Sequence, residues 1–492
     1  MTTPSRGASL APASPPSGSP ADVAALRAAL AGAGFTGPRV CELLHVDGDV
    51  LSVGPELAVH ERRLAGAGPP LPGFVRLFVL GLDTDEKEVA PVDAELLLRL
   101  GLAEDVDGLL CPLLRIIPHD DLCIAADLAT RKEPDHVAGV HRPSGTLDAL
   151  TVRRDVRTAL DVGTGCGVQA LLAARHAERV VATDVNERAL AFAAFSVALN
   201  GVRNVEFRHG SFFEPVRGER FGLVVSNPPY VVSPETALLF RDGGKPGDAV
   251  SADLVAELPD HLDEGGYGSI MVSWIAGDDP AARPASWLAD RGCDAWIFHS
   301  GTEDALTAAG VWNRAAGTET DGYAERVDAW LHYYEELGVE RIGYGTIVAR
   351  RRSGARNWIR SVELPGERVR PASEHLQRMF TAQDLLAAAP DTPLERALVV
   401  APAAFVDRTM QLVDGDWTLA SAAVRLEEGL GFGANLDAYG AVLVAALDGS
   451  GPLGPRLAEI AEGLGAPEAE FREFAARVAR HLLEFGIVVP AP

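Results

Sequence analysis

Hydrophobic and polar positions change their period several times along this chain, and the changes mark out its parts. In the middle, short apolar runs alternate with helical patterns. Thr158–Val162 is followed by Val168–Arg175, Arg179–Thr183 by Ala189–Leu199, and then come Val205–His209, Phe221–Ser226 and Tyr267–Trp274. Unbroken apolar runs of that length read as strands buried on both faces, and their alternation with helices predicts a parallel sheet with crossover connections. Asp294–His299 and Arg341–Arg350 supply two last strands. Between them, 302–338 reads as a helical insertion with Trp312, Tyr323, Trp330, Tyr333 and Tyr334, an aromatic set suited to a lid or to a satellite core.

The flanks have different patterns. Residues 1–20, rich in Pro, Ser and Ala, predict a disordered tail. Asp22 is the expected cap of a helix Val23–Ala31, and helical runs follow at Pro38–Leu44, Phe74–Leu80 and Val92–Leu100. Leu109–Pro118, a turn at His119-Asp120-Asp121 and Leu122–Asp127 read as a β-hairpin. Helices plus a hairpin suggest a winged-helix-like module over 21–137. The central domain is placed at 138–364, a linker at 365–390 and a second winged-helix-like module at 391–492, with helices at Leu453–Leu464 and Ala469–Phe485 and a strand from Gly486. The expected fold class is α/β, a Rossmann-like seven-stranded core flanked by small α+β domains.

Two motifs lie at strand ends. The first strand runs into Asp161-Val-Gly-Thr-Gly-Cys-Gly167 and then a helix. Glycines there permit positive φ and let the backbone approach a ligand closely. The second strand ends at Asp184, 21 residues after Gly163, where an acid suits the hydroxyls of a ribose. A nucleoside-bearing cofactor is expected, although this spacing alone also fits a dinucleotide. Asn186 and Asn200 bracket the next helix and read first as helix punctuation.

The fourth strand delivers Asn227-Pro228-Pro229-Tyr230 to the same edge of the sheet. An amide or exocyclic amine nitrogen has its lone pair delocalised into a π system. Two acceptors, the Asn227 side-chain oxygen and the Pro228 carbonyl, can bind its N–H hydrogens and orient it, while the prolines stiffen the loop and Tyr230 offers a flat face.

Together these motifs resemble the S-adenosylmethionine (SAM) dependent N-methyltransferases of class I. The resemblance implies SAM as cofactor, held by Asp161, Gly163, Thr164, Gly165, Gly167, Asp184, Val185, Asn186, Ser211, Phe212 and Asn227, with Ser211 standing where an acid is commoner. It implies catalysis by Asn227, Pro228 and Tyr230, and an antiparallel last pair of strands. Ser233-Pro-Glu…Ala-Leu…Asp242-Gly-Gly…Gly247-Asp248 is similar to a segment of the protein-(glutamine-N5) methyltransferases that modify release factors, with Pro234-Glu235 in reversed order. His141-Arg-Pro-Ser-Gly-Thr-Leu147 is loosely similar to that family's Pro-Arg-Pro-Glu-Thr-Glu segment, without its acids. The match covers about 138–275, and the whole chain is similar to actinobacterial methyltransferases with extra domains at both ends.

Charge bears on the acceptor. The 492 residues include 44 basic and 69 acidic ones, a net charge of −25, which opposes a grip on nucleic acid. One dense basic run, Arg350-Arg351-Arg352 with Arg356, Trp358 and Arg360, reads as a solvated strand end or as an RNA contact. The implied acceptor is a macromolecule: a glutamine side chain of a protein such as a translation factor, or else an exocyclic amine of adenine or guanine in RNA or DNA. A non-catalytic SAM-binding scaffold is the reading of another class. Five cysteines without a Cys-x-x-Cys pair argue against zinc sites, so no metal is expected. No apolar run approaches the length of a membrane span, and a cytoplasmic protein is expected.

Overall fold

The structure, a computed structural model, describes residues 14–46, 56–131, 133–235, 241–315, 322–354, 356–366, 370–390 and 392–491. The expected tail therefore lies mostly outside the described residues. The chain divides into two compact units, residues up to 148 with 155–362, and 149–154 with 363–492.

The first unit is built on an eight-stranded sheet. Its strands are β1 (Val156–Val162), β2 (Ala177–Asp184), β3 (Val205–His209), β4 (Phe221–Ser226), β5 (Leu262–Ile275), β6 (Cys293–Asp304), β7 (Arg341–Arg351) and β8 (Ile359–Glu363), in the order β3-β2-β1-β4-β5-β7-β6-β8. The first five run parallel; β7 is antiparallel to both β5 and β6. Seven of these strands are the expected ones, and the last two of them pair antiparallel as expected. The eighth, β8, begins where the basic run ends and was not expected; it lies at the sheet edge with most of its residues exposed.

Register explains how the motifs meet. Val162 pairs with Ser226 on one side and with Thr183 on the other, so three parallel strands end in one row. The next residues, Gly163, Asn227 and Asp184, leave the sheet together at its carboxyl edge. Ser226 Oγ donates to the Val162 carbonyl at 2.8 Å, which ties the ends of β4 and β1 together.

Two helices follow the loops, α1 (Val168–Ala173) and α2 (Glu187–Leu199). The α2 sequence is apolar almost all round, as a helix covered on more than one side must be. One side packs toward the sheet; another meets the β-hairpin Leu114–His119/Leu122–Asp127 of the N-terminal part. Ser196 Oγ accepts the Ala125 N–H at 3.0 Å, and the Asn200 amide bonds both the N–H (3.0 Å) and the carbonyl (2.8 Å) of Cys123. Side chains of α2 thus satisfy an edge strand that would otherwise present bare backbone groups. Leu26, Leu30, Phe35, Phe74 and Phe78 from the N-terminal part and Leu171, Phe192 and Phe195 from the core belong to one hydrophobic cluster. The N-terminal part therefore shares its core with the central sheet within a single unit.

Two N-terminal details differ from the sequence reading. Ser19, not Asp22, caps the first helix, Pro20–Ala33, accepting the Asp22 N–H at 3.1 Å; the Pro at the first position fits that cap. Leu109–Pro112 pairs with Ala103–Val106 rather than continuing into the hairpin, because Leu113 breaks between two sheets. With Thr84–Asp85 these form a three-stranded sheet in the order Thr84–Asp85, Leu109–Pro112, Ala103–Val106, and two short helices, Glu86–Val89 and Ala94–Arg99, lie between its first two strands in sequence.

The insertion between β6 and β7 contains α3 (Ala305–Ala315) and α4 (Tyr323–Leu337). In the second unit, Ser373–Ala388 is a 16-residue helix whose Leu376, Met379, Phe380 and Leu386 are buried, where a linker was expected. Its apolar residues at helical spacing account for the difference. The small sheet of this unit has Ala397–Val400 at its centre, between Asp448–Pro452 and Val488–Pro490. A winged helix instead pairs its last two strands, so the C-terminal module departs from that expectation. It also carries a meander, Ala404–Val413, Asp416–Leu426 and Gly433–Leu436, whose long hairpin is mostly exposed. No helix among the described residues is long and apolar enough to cross a membrane, and none of their side-chain clusters is suited to a metal.

Candidate active site

The three strand ends open into one cavity of about 590 Å³. Its lining includes Asp161, Gly163, Thr164 and Gly165 from the β1 loop, Asp184, Val185 and Asn186 from the β2 end, and Ser211 and Phe212 from the β3 end. Asn227, Pro228 and Tyr230 line it too. Gly167 does not. It sits at φ +86°, and an added Cβ would come 2.9 Å from Ala193 Cβ and 3.0 Å from Ala193 Cα, so its glycine allows α1 to approach α2. Gly163 and Gly165 are different: both have positive φ, and a Cβ on either meets no atom within 4 Å. They form a wall without side chains, a cradle that a bound nucleoside can lie against.

Asp184 organises the loop. One carboxylate oxygen accepts the Gly165 N–H and the other the Asn186 N–H, each at 2.9 Å. Burial pushes this carboxyl above the usual carboxylate range, while the backbone N–H groups pull the other way. Each oxygen keeps a second lone pair, enough for a pair of hydroxyls. Asp161 is buried and accepts the Thr164 hydroxyl at 2.6 Å, closing the turn from inside. Asn186 caps α2, accepting the Arg188 N–H at 3.0 Å, and its amide donates to the Asp135 carbonyl at 3.0 Å. It is helix punctuation and cavity wall at once.

That second bond tethers a wall made by His136, Val137, Ala138 and Gly139. Behind it, Asp127 is buried, pairs with Arg188 and Arg131, and accepts the Val137 N–H at 2.8 Å. Neither the wall nor the network carries a recognisable motif; the acids and arginines are scattered in sequence.

The opposite end is built on Tyr230. Ser273 of β5 donates to the Tyr230 carbonyl, and the Tyr334 hydroxyl of α4 donates to the Val232 carbonyl at 2.9 Å. The Tyr230 ring packs against a cluster containing Val231, Trp330 and Tyr334. Burial pushes its phenol up to about 12. The aromatic set of the insertion therefore divides. Trp330 and Tyr334 are fully buried supports, whereas Trp312 lines the cavity and bonds the Tyr344 hydroxyl at 3.0 Å.

The Asp242-Gly243-Gly244 segment lies against the proline loop. A Cβ on Gly243 would stand 2.9 Å from the Pro229 carbonyl oxygen and 2.3 Å from Val250 Cγ2, so only glycine fits. Asp248 accepts the Ile275 N–H at 3.0 Å and pairs with Arg283, and Gly247 N–H reaches the Tyr333 hydroxyl at 2.8 Å, which fixes the segment to β5 and α4. Arg241 lines the cavity with its side chain only 5% exposed, held by Asp242 and Glu235. Sequence reasoning missed Arg241 and Gln169. Gln169 alone had a signal, as a polar residue inside the apolar helix start Val168–Ala173.

Residues 146–274 match the family model described as the methyltransferase small domain. A release factor glutamine methyltransferase of Xylella fastidiosa is 35% identical over 172 residues, 34% of this chain and 56% of that protein. A putative protein N5-glutamine methyltransferase of Methanocaldococcus jannaschii is 33% identical over 129 residues, 25% of this chain and 64% of the relative. The ribosomal protein uL3 glutamine methyltransferase of Bradyrhizobium diazoefficiens is 30% identical over 236 residues, 45% of this chain and 66% of its own length. The chain thus spans a little over half the length of the first of these relatives. With the strand order and the shared cavity already described, the central segment is a class I methyltransferase domain, similar to those of the protein-glutamine methyltransferases.

Proposed function

We propose that this protein transfers a methyl group from SAM to a planar amide nitrogen, the side chain of a protein glutamine. The observation that carries the proposal is the convergence of Asn227 and Pro228 with the glycine cradle and Asp184 on one cavity, through the register of β4, β1 and β2. The cradle residues fit a nucleoside: side-chain-free walls at Gly163 and Gly165, and a buried carboxylate with lone pairs to spare. When bound, SAM supplies an electrophilic methyl on a sulfonium.

The chain's own residues then do the aligning. The Asn227 oxygen and the Pro228 carbonyl accept the two N–H hydrogens of the acceptor amide. That turns the nitrogen lone pair out of conjugation and toward the cradle, which the two acceptors favour more as charge develops on nitrogen. Tyr230 lends a ring face. With its phenol pushed up to about 12, it stays protonated at neutral pH and is no base. No base is required before the bond forms, since the surplus proton leaves afterward. Alignment of this kind is worth as much as about 7–11 kcal/mol of barrier in well-oriented systems.

Glutamine is favoured over a base amine on two grounds. The relatives' names specify glutamine in release factors, in a protein, or in ribosomal protein uL3. In addition, Arg350 and Arg352 of the basic run are engaged with Asp294, which is fully buried, rather than extended as a phosphate stripe. The test is transfer of label from tritiated SAM into lysate of a strain lacking the protein, followed by separate protease and nuclease digestion. Label released by protease and recovered as methylated glutamine is expected; label released only by nuclease would overturn the glutamine assignment.

A further inference from the structure

We propose that the Gln169 side-chain oxygen receives the α-ammonium group of the cofactor's methionyl arm. The inference rests on the SAM reading above and assigns a polar contact at the far end of that ligand.

Gln169 stands at the second position of α1, directly after the glycine loop. Its Nε2 donates to the Ser144 carbonyl at 2.9 Å. A carbonyl can only accept, so this bond fixes which end of the amide is which. The other end, Oε1, is buried and has no hydrogen-bond partner. The residue is 4% exposed and lines the cavity beside Ser144 and Asp161. A buried amide oxygen without a donor is a cost to the unliganded protein that an N–H-bearing ligand removes.

The ligand's own chemistry selects the group. Asp184 anchors the ribose, and Ser211 and Phe212 lie beyond it on the β3 side. Asn227, where the acceptor nitrogen is held, marks the neighbourhood of the sulfur. Past the sulfur the arm ends in one ammonium, a donor, and one carboxylate, an acceptor. Only the ammonium complements an acceptor oxygen. The buried carboxylate of Asp161 in the same cavity also favours a cation over a second anion. In the loop and the start of α1, Gln169 Oε1 is the buried side-chain oxygen without a hydrogen-bond partner among the described residues: the Thr164 hydroxyl is bonded to Asp161, to which it donates, and Val168, Ala170, Leu171, Leu172 and Ala173 are apolar.

The experiment is calorimetric titration of the full chain with three probes: S-adenosylhomocysteine, its analogue lacking the α-amino group, and 5′-methylthioadenosine, which lacks the arm. Wild type is expected to prefer S-adenosylhomocysteine over the des-amino analogue by about 10-fold or more, the scale of a charge-assisted hydrogen bond. Gln169→Met should cut that preference to within about 3-fold and leave 5′-methylthioadenosine affinity unchanged, and Gln169→Glu should retain the preference because it keeps an acceptor there. A preference undiminished in Gln169→Met would overturn the inference. So would an equal weakening of all three probes, which is what loss of the Ser144 contact alone would do. If wild type binds none of the probes, the SAM reading itself fails, a result distinguishable from the others.

Discussion

Replacing Asp184 with Asn tests the cofactor reading with little change of shape. In the native loop each carboxylate oxygen accepts one backbone N–H, from Gly165 and from Asn186. The amide keeps one acceptor and turns the other into a donor facing a donor. The remaining lone pairs, proposed to receive the ribose hydroxyls, lose their charge. Losing charge-assisted bonds of this type costs about 1.5–3 kcal/mol, or about 10- to 100-fold in affinity. The pH dependence gives a second, independent reading. Burial holds the Asp184 carboxyl above the usual carboxylate range in the unliganded protein. Its stabilising contribution is therefore fully present below the ordinary carboxylate pKa and is lost as pH rises through the raised value. Hydroxyl donors favour the ionised form, so cofactor affinity should climb as pH rises from the acid range and level off toward neutrality. We predict that titration with S-adenosylhomocysteine from about pH 4 to about pH 8 shows this climb in wild type and a flat, weaker profile in Asp184→Asn. Affinity within twofold of wild type, or an unchanged slope with pH, would refute the assignment.

Three further outcomes are expected. Asn227→Ala should lower methyl transfer by at least about 100-fold while S-adenosylhomocysteine affinity stays within a few-fold, and Tyr230→Phe should be mild because the ring face is what is used; normal turnover in Asn227→Ala would sink the mechanism. Gly167→Ala and Gly163→Ala should separate stability from binding. Both sites have positive φ, so an Ala at either is strained by about 1–2 kcal/mol; the first also puts a Cβ against Ala193 and should cost about 2–4 kcal/mol in urea unfolding, while the second meets no protein atom and should add weaker cofactor binding to the smaller loss; equal effects on stability would contradict the packing role given to Gly167. In the second unit, burial pushes His375 from 6.5 down to about 4, and its ring accepts the Leu430 N–H while bonding the Phe485 carbonyl. A depressed pKa contributes stability that is present above about pH 6.5 and lost as pH falls through 4, up to about 3 kcal/mol, and hydrogen exchange across 373–388 at pH 7 and pH 4.5 should show it; protection unaffected by this pH drop would refute the buried neutral imidazole.

The central sheet was legible because its strands are buried on both faces. Burial of that kind leaves apolar runs that no helix face interrupts, and the loops after them carry residues with specific jobs: Gly163, Gly165, Asp184, Asn227. What was not legible depends on contacts distant in sequence. Asn200 reads as helix punctuation, yet its amide completes the Cys123 strand edge across 77 residues. The helix Ser373–Ala388 reads as a linker in the sequence because Pro, Ser and Glu residues ahead of it dilute the pattern, although Leu376, Met379, Phe380 and Leu386 are buried at helical spacing. The cavity wall at His136–Gly139 has no pattern of its own; it is placed by Asp127, Arg188 and Asn186, which are unremarkable singly. Gly167 belongs to the glycine motif by spacing but to helix packing by position, a distinction that only the neighbour at Ala193 reveals.

The aromatic insertion shows how these distant contacts bear on chemistry. A proline loop fixes its own φ angles but not its height above the sheet. Here that height is set from outside. Ser273 on β5 holds the Tyr230 carbonyl, Tyr334 on α4 holds the Val232 carbonyl, and Gly243 lets the Asp242–Gly247 segment lie directly on Pro229. Trp330, fully buried beneath Arg241 with the guanidinium carbon 5.6 Å from its ring, supports that segment from the same helix. Asn227 and Pro228 therefore present their acceptors from a loop clamped by β5, α4 and the glycine segment. Since alignment rather than acid–base chemistry is the proposed source of rate, the insertion would act on the proposed reaction by positioning the proline loop, even though only Trp312 of its aromatic residues reaches the cavity.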